Sequence, residues 1–209
     1  MIRYRCERIA QFVALAIATL LASCNATTET RYQRWLASGH QTASSRYGAF
    51  LKRDNVLDVV PMDALSRTSR RWRVCRHDEF SIPPQELWQN MTPTLRVVRT
   101  LRDAGILDPA LARSVYRDAL VNRCAGGSAG SKHRDNRAID FDLPPNPDNV
   151  ARLCAFWRKR GPSLNIGLGF YTPTAIHIDT AGFRTWGEDH HRATSLCIDQ
   201  PAAVENRRC

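Results

Sequence analysis

Hydrophobic positions divide this chain into one long apolar run and a series of short periodic segments. The run covers residues 9–21, broken only by Gln11 and Thr19, and follows a basic start of Arg3, Arg5 and Arg8. It is short for a membrane span and has the form of a removable export segment. A polar, Thr-rich stretch over 25–31 follows and reads as a tether. Between 32 and 51, Trp35, Leu36, Tyr47, Phe50 and Leu51 predict two helical pieces separated at Gly39. The apolar run 56–60, closed by Pro61, predicts a strand or extended segment. Residues 63–73, with Leu65 and Trp72, predict a helix, and Pro83-Pro84 a loop.

Thr92-Pro93 opens another helix, with Leu95, Val98 and Leu101 on one face and Gly105 as its stop. A short helix is expected over 108–113, with 114–117 turning extended into a Gly-rich loop at 124–130. From 138 to 143 apolar and acidic residues alternate (Ile139, Asp140, Phe141, Asp142), the period of a strand with one face buried and one facing a site. Val150, Leu153, Cys154 and Trp157 recur at helical spacing over 148–160, with Gly161 as the predicted stop. Short strands are expected at 165–171, 175–179 and 183–186. Helices first and strands later, with hairpin-length links, predict an α+β fold with a small antiparallel sheet and flanking helices.

The polar positions of the site-facing strands carry the chemistry. His133 and Asp140 stand seven residues apart, with Ser131 before them, and His177 and Asp179 follow in Ile176-His177-Ile178-Asp179. Seven residues is too far for one helical face. A loop His and a strand Asp can meet, and a neighbouring strand can bring His177. Two imidazoles and a carboxylate give zinc three protein ligands and leave one position open, the arrangement of a catalytic site. Alternation puts Asp179 on the same side as His177, where it is expected as the general base. Arg117 is a candidate clamp for a substrate carboxylate, since its fork suits two-point binding.

Composition narrows the setting. Leu21-Ala22-Ser23-Cys24 closes the apolar run and resembles the lipobox of bacterial lipoproteins. That resemblance implies lipidation of Cys24 after loss of residues 1–23, a lipidated tether over 24–31 and a domain over 32–209. It also implies a periplasmic location, with Asn25 favouring the outer membrane. The formal charge, +10 for the whole chain and +8 without residues 1–23, suits an anionic partner such as cell wall or headgroups. Export argues against nucleic acid. Cys75, Cys124, Cys154, Cys197 and Cys209 remain for an oxidising compartment, so two disulfides and one free thiol are expected, with the pairing open. His190-His191 reads as a solvated loop.

The site residues resemble those of the zinc D-alanyl-D-alanine metallopeptidases and related murein endopeptidases, which share a fold with the hedgehog signalling domain. Their pattern, Ser-x-His-x-x-Gly-x-Ala-x-Asp followed by His, is matched by Ser131, His133, Ala138, Asp140 and His177. Tyr116-Arg117-Asp118, Asn122, Gly126-Gly127 and the stretch from Gly169 through Trp186 extend the likeness over about residues 85–187. The resemblance implies one zinc ion on His133, Asp140 and His177. Arg117 and Ser131 would serve substrate, and the activity would be cleavage of peptide bonds in peptidoglycan stems, as carboxypeptidase or cross-link endopeptidase. Asn136 stands where the pattern has Gly, in a turn where Asn tolerates a left-handed backbone. Thr174 stands where many relatives carry their acidic base, and this keeps open a non-catalytic wall-binding lipoprotein. In relatives with a His-x-His pair the second His binds metal, a register that would put Asp179 on the ion.

Overall fold

The computed structural model describes residues 27–198; the export segment, Cys24 and Cys209 lie outside them. The chain divides into two compact units, Met1–Gln41 and Thr42–Cys209. In the first, α1 (Thr28–Trp35) is capped by Thr27, whose hydroxyl accepts from Thr30 N. The expected tether is therefore helical from residue 28 onward. After α1 the chain kinks over Leu36–His40, where Gly39 takes φ 113°, so the predicted break at Gly39 holds.

The second unit begins with α2 (Gln41–Arg53) and a short α3 (Met62–Leu65). Residues 56–60 form turns rather than a strand, and the helix expected over 63–73 stops at Leu65. Beyond it, Arg67 bridges to Phe80 as an isolated antiparallel pair. Val56, Val59, Val60, Ala64 and Leu65 are buried, but burial alone does not choose between strand, helix and turn. Next come α4 (Met91–Asp103), β1 (Ala112–Ser114), α5 (Ala119–Cys124), β2 (Ala138–Asp142) and α6 (Asn149–Leu164). Strands β3 (Gly167–Phe170), β4 (Ala175–Asp179) and β5 (Arg184–Trp186) complete the unit.

The α6 helix runs through Gly161 and Pro162 and ends on Asn165 in the left-handed region. Gly161 is a packing residue rather than a stop, because a Cβ there would lie 2.7 Å from the Phe183 ring.

The five strands form one sheet in the order β1-β2-β4-β3-β5. The pairs β1–β2, β2–β4 and β3–β4 are antiparallel, as expected, whereas β3–β5 is parallel. The architecture is α+β. Alternation along the strands sorts residues onto two faces. Ile139, Phe141, Leu168, Phe170, Ile176 and Ile178 form the apolar face and join α4 (Leu95, Val98, Leu101) and α6 (Leu153, Trp157) in one hydrophobic cluster. The opposite face carries Asp140, His177, Gly169 and Trp186 in a single row, since Asp140 pairs with His177, His177 with Gly169, and Gly169 with Trp186. Both faces are buried, so alternation here separates apolar from polar rather than inside from outside.

Gly169 has a steric reason: a Cβ there would come within 2.0 Å of the Trp186 ring. Gly169→Ala should displace that ring and cost about 1–3 kcal/mol. The measure is a lower denaturation midpoint in urea with an unchanged slope; an unshifted midpoint would show that the ring yields freely.

Disulfides Cys75–Cys124 and Cys154–Cys197 span 49 and 43 residues. In the chain-entropy view, closing loops of that length contributes about 4 kcal/mol each. The second ties α6 to the segment after β5.

Candidate metal centre

Two backbone features bring the polar residues together. The first is the turn from Ser131 to Asn136, with Arg134 N donating to Ser131 O and Arg137 N to Lys132 O. Asn136 takes φ 52° in it, as expected of Asn in place of Gly, and the turn delivers His133 beside β2. The second is the β2–β4 register, which sets Asp140 directly opposite His177. One ligand atom from each of His133, Asp140 and His177 lies within 4.8 Å of the others. His133 and Asp140 are 1 % exposed, His177 5 % and Asp179 0 %.

The hydrogen bonds fix which atoms converge. His133 donates from Nδ1 to the Val115 carbonyl at 2.6 Å, and its Nε2 faces Asp140 Oδ1 at 3.1 Å. His177 donates from Nε2 to Asp179 Oδ2 at 2.9 Å, and its Nδ1 faces the same Asp140 Oδ1 at 3.0 Å. In the neutral tautomer that donates to the acceptor behind it, each imidazole turns a lone pair toward a carboxylate oxygen. Three electron-rich atoms facing one another is an arrangement that a cation completes, and outer-shell acceptors of this type orient histidines on metals. Two imidazole nitrogens and a carboxylate oxygen suit zinc, whose bonds of about 2.0–2.2 Å would separate its ligand atoms by a little over 3 Å. The residues fit the ion.

The electrostatics suit ligation at His133 and Asp140, whereas His177 is shifted toward its charged form, whose proton a metal ion would have to displace. Burial, reinforced by Arg117 and His177, drives His133 down to about 4 against the pull of Asp140, keeping it neutral as a ligand must be. For Asp140, burial alone would raise the carboxyl. His133, His177 and Arg117 outweigh it and hold the group well below the usual range. Burial opposes protonation of His177, but Asp140 and Asp179 outweigh it and raise that imidazole.

Both carboxylate oxygens of Asp179, expected as the general base, are engaged. Its Oδ1 accepts from Ala181 N and Arg184 Nη1, and its Oδ2 from Arg184 Nη2 and His177 Nε2. Burial would raise it, but His177 and Arg184 bring it down to about 2, so it is a poor proton acceptor. It lies behind His177, away from Asp140, which also removes the register that would place it on the ion. Gly167 makes room for this pair, since a Cβ there would meet Asp179 Oδ2 at 2.4 Å.

Arg117 is not a free clamp. Its Nε donates to Ser114 Oγ at 2.8 Å and its Nη2 to Asp140 Oδ2 at 2.5 Å, so it steadies the carboxylate while still lining the cavity above. Ser131 lines the same cavity, but its contribution to the turn is through backbone, not side-chain, hydrogen bonds. Three participants were given no role from the sequence: the Val115 carbonyl behind His133, Arg184 behind Asp179, and Tyr171, whose hydroxyl donates to Asp140 Oδ1 at 3.2 Å. Arg184 was within reach of alternation, which puts it on the face of Gly167 and Asp179.

The cavity over these residues has a volume of ≈ 820 Å³. Arg70, Arg71, Arg117, Lys132 and Arg184 line it, and Asp140 is the only carboxylate among its lining residues. Arg70 pairs with Asp142, and Arg117 and Arg184 with the site acids. His190 and His191 are exposed in a loop, as read from the sequence, and His190 also lines the cavity.

A His-Asp-His cluster lining a cationic cavity, on the polar face of an α+β sheet, is a site that can hold a metal ion. The chain matches the family model described as Peptidase M15 over residues 63–179, more than half of its 209 residues. It belongs to that family, the zinc D-Ala-D-Ala peptidases, and the match contains His133, Asp140 and His177 together. No curated protein and no solved structure matches the chain.

Proposed function

We propose that this protein is a zinc peptidase that cleaves peptide bonds in peptidoglycan stem peptides, on a fold of the hedgehog/DD-peptidase type. The observation that carries the reading is the convergence of His133 Nε2, Asp140 Oδ1 and His177 Nδ1, each far nitrogen already committed to a buried acceptor. These three atoms would hold the ion. Zinc so held supplies Lewis-acid chemistry, polarising a peptide carbonyl and acidifying a water.

The chain's own groups do the rest. Asp179 and the Val115 carbonyl hold the two imidazoles in the tautomers that ligation requires. Arg117 fixes Asp140 through its second oxygen and presents the rest of its guanidinium to the cavity. Arg71 and Lys132 line the opening, a cationic setting for the carboxylates of a stem peptide. The lipobox-like segment supports export and tethering of Cys24 to a membrane, with the outer membrane as destination. The mature domain would then work on the wall from the periplasmic side, with no nucleic-acid partner.

The test is digestion of purified muropeptides by the full-length protein, with and without a chelator, read by mass spectrometry. Chelator-sensitive cleavage is the expected result, and the mass lost names the bond. A protein that holds one zinc, sediments with sacculi and releases nothing would instead be a wall-binding lipoprotein. Among the described residues Asp140 is the one carboxylate lining the cavity, and that observation favours this other reading.

A further inference from the structure

A single carboxylate among the described lining residues poses a chemical question. Peptide hydrolysis requires a group that takes a proton from water and gives one to the leaving nitrogen. Thr174 cannot do so, and both oxygens of Asp179 are engaged. Burial pushes the Tyr171 hydroxyl far up, and it donates to Asp140. The arginines and Lys132 are hydrogen-bond donors with no acceptor atom to offer. His133 and His177 face Asp140 as ligands. One lining side chain with proton-accepting capacity is left, the His190 imidazole.

The structure builds His190 into place. It takes φ 63°, a left-handed conformation that costs a non-glycine residue on the order of 1 kcal/mol and tends to cluster at functional sites. The turn is closed by His190 N on Gly187 O at 2.9 Å and Gly187 N on His191 O at 3.0 Å. Asp189 Oδ1 takes His191 N and the Thr194 hydroxyl. Gly187 packs so closely that a Cβ would meet Thr194 O at 2.2 Å. The ring itself sits against Trp186 at 5.0 Å and Tyr171 at 6.4 Å between centroids. The same two rings flank His177, at 5.6 and 6.4 Å. The His177 imidazole and His190 thus contact the same aromatic pair. His190 lies beyond residue 179, where the family match ends.

We propose that His190 is the proton-transfer residue of the reaction, an inference that rests on the zinc-peptidase reading. As the water oxygen bonds to the carbonyl carbon, one of its protons passes to the His190 imidazole. As the C–N bond breaks, that proton passes to the leaving nitrogen. The second water proton stays on the new carboxyl group, which ionises and passes it to the amine, so the products are a carboxylate and a protonated amine and the imidazole is restored neutral.

The experiment compares the full-length parent with His190→Gln and, as control, His191→Gln, on a stem pentapeptide ending in D-Ala-D-Ala or on whole muropeptides. His190→Gln should still hold one zinc, keep KM within about threefold, and lose about 10²–10³-fold in kcat. Added imidazole should restore a tenfold or greater part of that loss. His191→Gln should stay within about twofold of the parent. Mass mapping of diethyl pyrocarbonate adducts supplies a readout that does not depend on turnover: bound peptide should protect His190 and leave His191 reactive. Turnover by His190→Gln within about threefold of the parent overturns the proposal. So does loss of zinc along with activity, or a His190 that peptide does not protect. A parent that cleaves nothing overturns the reading beneath it; a cleaving parent with an equally active His190→Gln overturns this assignment alone.

Discussion

His133→Ala should leave the protein without stoichiometric zinc and without measurable peptide hydrolysis. The substitution removes one of three converging ligand atoms, where loss of an outer-shell partner alone already costs about 10–100-fold in metal affinity. It also frees the Val115 carbonyl and takes from Asp140 one of the imidazoles that keep its carboxyl ionised. The fold should survive, because the apolar face of the sheet and both disulfides lie outside the change. Metal analysis of the purified variant, circular dichroism and muropeptide digestion test this together. A folded variant that kept one zinc and the parental rate would remove His133 from the site and with it the zinc-peptidase reading.

Asp179→Asn separates two roles for the same residue. Asparagine can still accept from His177 Nε2, but it loses the charge and the two-point pairing with Arg184. If Asp179 orients a ligand, zinc affinity should fall about 10–100-fold. The rate at saturating zinc should stay within about fivefold of the parent. If Asp179 were the base, affinity would hold and kcat would fall about 10²–10⁴-fold at any zinc concentration. Competition against a chromophoric chelator, followed by kinetics at saturating metal, distinguishes them. Retained affinity with a collapsed rate would return Asp179 to the role of base.

Much of this site was legible along the chain because its chemistry is written in local spacing. Ser131-x-His133, Asp140 on an alternating strand and His177 on another were enough to name the three converging residues. The Asn136 turn was legible too, since left-handed backbone has few tolerant residues. The α+β class followed from periodicities of 3.6 and 2, which are properties of single segments.

What needed the tertiary structure was everything that depends on which atom of a residue meets which neighbour. Alternation places His177 and Asp179 on one side of β4, yet it cannot say that His177 turns Nδ1 to Asp140 and Nε2 to Asp179. That choice is made by the β2–β4 register and by Arg184 holding Asp179 from behind. The same limit applies to Arg117, whose fork meets Asp140 and Ser114 rather than open solvent. It applies to Gly161 and Gly169, which spacing presents as a stop and an ordinary strand residue. The Phe183 and Trp186 rings make them packing positions. His190 sits in a stretch that is polar by every sequence measure, and only a closed turn against Tyr171 and Trp186 brings it to the cavity. Composition and periodicity report each residue's own preference for water or for a regular backbone. Register, ring contacts and the partners of buried polar atoms arise between residues distant in the chain, and the packed structure alone decides them.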